Sequence, residues 1–137
     1  AVRNGDLLKP GRWREEWCGR PAWVFSSRRL TVPGDPDVHV VSGDVAGHHA
    51  SMVEAAAGRD LWVVGGGDLA GQFADAGLLD LVRVGVAPVT LGSGAPLLPR
   101  RMTDRLALAG VTSDGTFAFL DYTLTYSEPP SSSATVS

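Results

Sequence analysis

Apolar residues fall along this chain in short runs separated by glycine, proline and charge. Ala22-Trp23-Val24-Phe25-Ser26 follows the break at Pro21 and is rich in strand formers, so it predicts a first strand. The turn cluster Thr-Val-Pro-Gly-Asp-Pro-Asp at 31–37 comes next, then Val38-His39-Val40-Val41, a second short strand. Asp44 is an N-cap for a helix from Val45 to Ala57, with Val45, Met52, Val53, Ala56 and Ala57 loosely on one face and Gly58 at its end. Leu61-Trp62-Val63-Val64 is apolar without alternation, the pattern of a central strand buried on both faces. Three glycines follow it, and an amphipathic stretch from Asp68 to Ala76, closed by Gly77, predicts a second helix.

A strand is expected from Leu79 to Val89, interrupted by Asp80, Arg83 and Gly85. Gly92-Ser93-Gly94-Ala95-Pro96 reads as a loop, and 97–104 as irregular chain or one helical turn. Two strands end the pattern, Leu106 to Thr112 and Thr116 to Tyr126, joined by a turn in which Asp114-Gly115 is the hairpin signal. In the last strand Phe117, Phe119, Asp121, Thr123 and Thr125 share one face; Ala118, Leu120, Tyr122, Leu124 and Tyr126 share the other. The order predicts an α/β fold with a mixed, mostly parallel sheet flanked by helices and a C-terminal antiparallel hairpin. Residues 1–20 read as a loop region with one helical turn near Trp13 to Trp17, 21–126 as the folded domain, and 127–137 as a Pro/Ser-rich disordered tail.

Composition narrows the function classes. The 137 residues carry a net charge of −3 with scattered arginines and no basic run, which disfavours nucleic-acid binding. No apolar run approaches the roughly 20 residues that span a bilayer, and the opening Ala1-Val2-Arg3-Asn4-Gly5-Asp6 has no signal-peptide core. The single cysteine, Cys18, excludes an internal disulfide and suits a reducing cytoplasm, the expected location.

Two motifs carry candidate chemistry. Gly65-Gly66-Gly67 lies between the apolar run and the second helix, where a backbone without Cβ atoms admits a ligand closely and free N–H groups face an anion. The spacing is not G-x-G-x-x-G, and a tight corner is the competing reading. Ser26-Ser27-Arg28-Arg29 ends the first strand and combines hydroxyls with guanidinium groups, a set suited to a phosphate monoester; a solvated loop is the alternative. Both follow strand C-terminal ends, the side on which α/β sheets bind ligands, so both could face one crevice. His39, His48 and His49 lack metal-ligand spacing and are expected at the surface, so no metal site is expected. No G-x-S-x-G motif is present, which disfavours a serine hydrolase. Trp13, Trp17, Trp23 and Trp62 are expected as packing anchors.

Trp23-Val24-Phe25-Ser26-Ser27-Arg28, Leu61 to Leu69, and Leu78-Leu79-Asp80-Leu81 with Val86-Ala87-Pro88-Val89-Thr90-Leu91-Gly92-Ser93-Gly94 resemble the dihydrofolate reductase-like superfamily, in the branch of the riboflavin-biosynthesis reductase domain. The blocks cover about residues 20–126 in the family's order. The resemblance implies an NADPH-dependent oxidoreductase that transfers hydride to a pterin-like or flavin-pathway substrate, with 5-amino-6-(5-phosphoribosylamino)uracil reductase activity as the named candidate. It places Gly65, Gly66, Gly67, Asp68 and Leu69 at the cofactor's pyrophosphate and nicotinamide side, with a cis peptide between the first two glycines. It places Ser26, Ser27 and Arg28 at the adenosine 2′-phosphate, and Pro88, Gly92 and Gly94 on the substrate side. It implies a homodimer paired through the C-terminal strands. The family's opening strand with its Ser-Leu-Asp-Gly-like loop, and its Gly-Arg-x-Thr motif, do not occur in these residues. No catalytic acid is therefore carried over; Asp68 reads as a helix N-terminal residue and Asp80 as a surface or interface residue. A competing expectation is a non-catalytic nucleotide-binding or dimerisation module derived from the family by N-terminal truncation.

Overall fold

The computed structural model describes residues 15, 18–30 and 37–126. Its elements are β1 (Ala22–Phe25), β2 (Val38–Val41), α1 (Val45–Ala56), α2 (Gly67–Asp75), β3 (Leu81–Val86), β4 (Leu106–Ser113) and β5 (Ala118–Leu124). The chain divides into two compact units, Ala1–Trp62 and Val63–Ser137. The helical turn expected near Trp13 to Trp17, most of the 31–37 turn cluster and the tail 127–137 lie outside the described residues.

In the first unit β1 and β2 pair in parallel, from Ala22 opposite Val38 to Phe25 opposite Val41. The ladder extends at both ends: the Ala22 N–H donates to the Asp37 carbonyl at 2.8 Å and the Ser26 N–H to the Val41 carbonyl at 3.0 Å. Parallel neighbours cannot be joined by a tight hairpin, and the two strands are twelve residues apart in sequence. Trp23 stacks on its cross-strand partner His39 with ring centroids 4.9 Å apart. Phe25, on the same strand face, meets His48 of α1 edge-on at 5.7 Å. The second ring nitrogen of His48 lies 2.9 Å from the Ser42 carbonyl oxygen. His48 is half-buried and joins helix to ladder, so the expectation of surface histidines holds for His39 but not for His48 or the half-buried His49.

Asp44 caps α1 as its sequence predicts, its carboxylate accepting from the Ala46 N–H at 2.6 Å. The helix ends one residue early because Ala57 takes the left-handed conformation (φ 50°) ahead of Gly58 (φ 81°). Val45 and Met52, two turns apart, are the buried face. Val53 is 49% exposed, being 100° round the helix from Met52 rather than on the core stripe.

In the second unit the sheet order is β3-β5-β4, antiparallel throughout. The hairpin forms at Asp114-Gly115 (Gly115 φ 94°). The Asp114 carboxylate accepts from the Thr116 and Phe117 N–H groups at 2.8 and 2.7 Å. Those N–H groups are thereby withdrawn from the ladder, and β5 starts at Ala118 rather than Thr116. The β3 strand is also shorter than expected. The Val89 N–H turns back on the Ala87 carbonyl at 2.8 Å around Pro88, which has no N–H to give a ladder. β5 has β3 on one edge and β4 on the other, so it is the central strand of this sheet.

One sheet face carries Val82, Val84, Leu120, Tyr122, Leu124 and Leu108, and the other carries the pair Arg83–Asp121. Arg83 grips the carboxylate with two bonds of 2.6 Å. This holds Asp121 below the usual carboxylate range and raises the guanidinium. Phe73, Ala74, Leu79 and Leu124 are the buried apolar residues among the described residues of this unit. The Tyr126 hydroxyl donates to the Leu79 carbonyl at 2.6 Å, tying the connection after α2 to the end of β5. Burial pushes the Tyr126 phenol up.

The expected α/β class with parallel and antiparallel pairing is present, as two ladders rather than one continuous sheet. The expected strand at 61–64 is not formed: the segment is irregular, with Trp62 73% and Val64 65% exposed. This corrects both the central strand and the role of Trp62 as a packing anchor. An apolar run expresses a tendency to be buried, whereas a strand also requires a neighbour with matching N–H and C=O groups. No ladder forms on 61–64 among the described residues.

Two outcomes follow for stability. Phe73→Ala should lower the unfolding free energy by about 3–5 kcal/mol, whereas Leu91→Ser, at a position 83% exposed, should stay within about 0.5 kcal/mol; urea titration measures both. Asp121 has its folded pKa below its unfolded one, so its contribution is full above the ordinary carboxylate pKa of about 3.9 and is lost as pH falls through the folded value. Asp121→Asn should therefore flatten the acid limb of Tm against pH and lower Tm slightly at neutral pH, a small effect because the pair is exposed.

Candidate functional site

The first unit holds an open groove of about 390 Å³ lined by residues 26–30 and 40–42. It lies just past the C-terminal ends of β1 and β2, the side on which α/β sheets bind ligands. Ser26, Ser27 and Arg28 all line it, as does Arg29. The Ser26 hydroxyl accepts from the Arg28 N–H at 3.0 Å and donates to the Arg28 carbonyl at 3.1 Å. Its proton is thus used to close the turn, and Ser26 shapes the groove rather than facing a ligand as a donor. Ser27, Arg28 and Arg29 are exposed, and among the described residues neither arginine forms an ion pair. Two uncompensated guanidinium groups beside a hydroxyl favour an anion, and their planar forks suit phosphate. The β2 side of the groove, Val40 to Ser42, was not singled out in the sequence. The signal that could have found it is its position at the end of the second parallel strand.

In the second unit Gly66 (φ 74°, ψ 119°) is the N-cap of α2 and has no side-chain capping bond. The cis peptide implied for Gly65–Gly66 is not present; no described peptide bond is cis. A cis non-proline bond costs about 3–4 kcal/mol and needs surroundings that enforce it, and here the positive φ of Gly66 turns the chain with trans bonds alone. The three glycines are not equivalent. A Cβ on Gly65 or Gly66 would meet open space, whereas one on Gly67 would collide with the Leu97 carbonyl oxygen and lie 3.2 Å from that of Pro96. Gly67 therefore serves a close approach of two backbones within the protein. The structure so joins the α2 N-terminus to the loop that carries Gly92 (φ 75°) and Gly94, while Pro88 sits exposed in the turn after β3.

The same loop is clamped further down α2 by Arg100. Its Nε donates to Asp75 at 2.6 Å, one terminal nitrogen to Asp68 at 3.1 Å and the other to the Pro99 carbonyl at 2.9 Å. The side chain crosses Gly71, where a Cβ would stand 3.0–3.1 Å from its Cζ, Cγ and Nε. Asp68 also accepts from Gln72 at 2.9 Å. The Gln72 bond, then Arg100, holds its carboxyl below the usual range, so Asp68 is no proton donor at neutral pH. Leu69 is half-buried and Asp80 exposed. Arg100, Asp75 and Gln72 were missed by sequence reading. Asp68, Gly71 and Asp75 mark one helix face, but nothing local points to residue 100. Among the described residues no group of three His, Cys, Asp or Glu could hold a metal ion, and no helix is long and apolar enough to cross a membrane.

Comparison with known proteins agrees with this architecture. The family model for the RibD C-terminal domain matches residues 19–119. A crystal structure from Shewanella sp. PV-4, named as a candidate riboflavin biosynthesis protein, superposes with a TM-score of 0.61 over 77% of this chain at 23% identity, a likeness of fold alone. Protein YyaP of Bacillus subtilis (strain 168), named as uncharacterized, is 45% identical over 40 residues, 29% of this chain. The chain spans 61% of the Shewanella chain and 21% of the Bacillus protein.

Gly67→Ala should cost about 1–3 kcal/mol, because backbone must move to admit the methyl group. Gly65→Ala should change stability by less than about 1 kcal/mol. Chemical denaturation of the two variants beside wild type checks the contrast.

Proposed function

The chain belongs to the RibD C-terminal domain family, and we propose from this that it is an NADPH-dependent reductase of the riboflavin-biosynthesis type, acting on a pterin-like or flavin-pathway substrate. The observation that carries the reading is the groove beyond β1 and β2, with two arginines that no carboxylate among the described residues neutralises. A monoester phosphate is what distinguishes NADPH from NADH, and this donor set fits it. Arg28 and Arg29 would neutralise the 2′-phosphate, Ser27 would donate to it, and Ser26 would hold the turn. From the family resemblance, Gly65, Gly66, Gly67, Asp68 and Leu69 are assigned to the cofactor's diphosphate; within the second unit a Cβ on Gly65 or Gly66 would meet open space, and the first-turn N–H groups of α2 suit an anion. Bound NADPH supplies the hydride; the chain's residues bind, orient and exclude water. Pro88, Gly92 and Gly94 are assigned to the substrate side from the family resemblance, and no residue of this chain is assigned as catalytic acid. A homodimer belongs to the same reading; with both β5 edges occupied, its contact would use the sheet face bearing exposed Leu108 and Val111.

Titration of tryptophan fluorescence with NADPH and NADH tests the proposal. Wild type should prefer NADPH, and Arg28→Ala with Arg29→Ala should lose about tenfold or more in NADPH affinity while changing NADH affinity little. Equal affinity for the two cofactors, or no binding of either by folded protein, would overturn it.

A further inference from the structure

The proposed function leaves Arg100 without a role, yet this half-buried side chain is held by three hydrogen-bond partners. It bridges two carboxylates on α2 that are seven residues apart, about 10 Å along the axis. It crosses the helix at Gly71, where a Cβ would crowd its Cζ, Cγ and Nε at 3.0–3.1 Å. One turn earlier, Gly67 admits the Pro96 and Leu97 carbonyls in the same way. The loop from 96 to 100 is thus seated along α2 at two glycines and locked by one guanidinium. A second consequence concerns Asp68. A carboxylate in the first turn of a helix competes with any anionic ligand for the same positive helix end and repels it. Here both its oxygens are engaged, one by Arg100 and one by Gln72, a full turn further along α2. The carboxylate is drawn down the helix, away from the triple-glycine turn, and its charge is compensated.

We infer that Arg100 is a positioning residue for anion binding at the Gly65–Gly67 turn: it holds the 96–97 backbone against Gly67 and restrains the Asp68 carboxylate. This rests on the reading of that turn as the cofactor's diphosphate site. It concerns a residue outside the turn that touches no ligand itself.

The test uses four variants of the full chain: Arg100→Gln, Asp68→Asn, the double variant, and Gly71→Ala. NADPH affinity is measured by fluorescence, and amide hydrogen exchange is followed at 67–69 and 97–100. Arg100→Gln should weaken NADPH about tenfold and speed exchange in both segments. Adding Asp68→Asn removes the freed charge but keeps the backbone N–H, and should restore most of the lost affinity. A merely structural role for Arg100 would not produce that rescue. Gly71→Ala leaves every charge in place and presses a methyl group against the Arg100 side chain, and should reproduce the faster exchange. Unchanged affinity in Arg100→Gln, or a loss that Asp68→Asn does not relieve, would overturn the inference. If folded wild type binds no NADPH, the cofactor reading fails by itself. The exchange data then still decide whether Arg100 holds the turn, and unchanged exchange at 67–69 in Arg100→Gln overturns it.

Discussion

Strand pairing is the constraint on which the second unit depends, and β5 is where it is met. An extended backbone presents N–H and C=O groups on both edges, and it persists only where both find partners or water. β5 gives one edge to β3 and the other to β4, so two strands are held by a third. The features around it are consequences. The Asp114 carboxylate collects the N–H groups that the hairpin turn would otherwise leave free. The Arg83–Asp121 pair sits directly across the β3–β5 register. Tyr126, just past β5, reaches the Leu79 carbonyl and fixes where the chain leaving α2 enters the sheet. The segment 61–64 shows the same constraint from the opposite side: its composition suits a strand, and without a ladder it is not one.

Glycine has two different uses within six residues of the second unit, 66–71. Gly66 is needed for its positive φ, which turns the chain into α2. Gly67 is needed for what it lacks, since a Cβ there would stand on the Leu97 carbonyl, and at Gly71 a Cβ would crowd the Arg100 side chain. A triple glycine before a helix therefore serves ligand approach and internal packing together. Only Gly65 and Gly66 keep the open surroundings that ligand approach demands.

The arginines divide along the same line between structure and binding. Arg83 and Arg100 are saturated by carboxylates of their own unit, and their charge is absorbed in holding strands or a loop in place. Arg28 and Arg29 have no such partners among the described residues and flank a groove. A cation left uncompensated by the fold is available to a ligand, and its location beyond two parallel strand ends is where α/β folds bind phosphates. The chain's net charge of −3 gives no hint of this local positive site, because the sum hides the distribution.

What the sequence by itself determined is local. Asp44 as cap of α1, Asp114-Gly115 as hairpin, the β1 and β2 strands and the turn at Gly65–Gly67 each follow from the chemistry of a few neighbouring residues, and each is found within a residue or two of its expected place. The membership of the groove by Ser26 to Arg29 was also legible, since it follows from standing at a strand end. The tertiary structure decided everything that depends on a partner distant in sequence. It left 61–64 out of any ladder, put His48 against Phe25, turned the Ser26 hydroxyl onto its own turn, and made Arg100 the clamp of a helix 25 residues earlier. Periodicity and composition state how strongly a segment favours burial, pairing or charge compensation. They do not state which partner supplies it, because the distances that choose the partner exist only once the chain has folded.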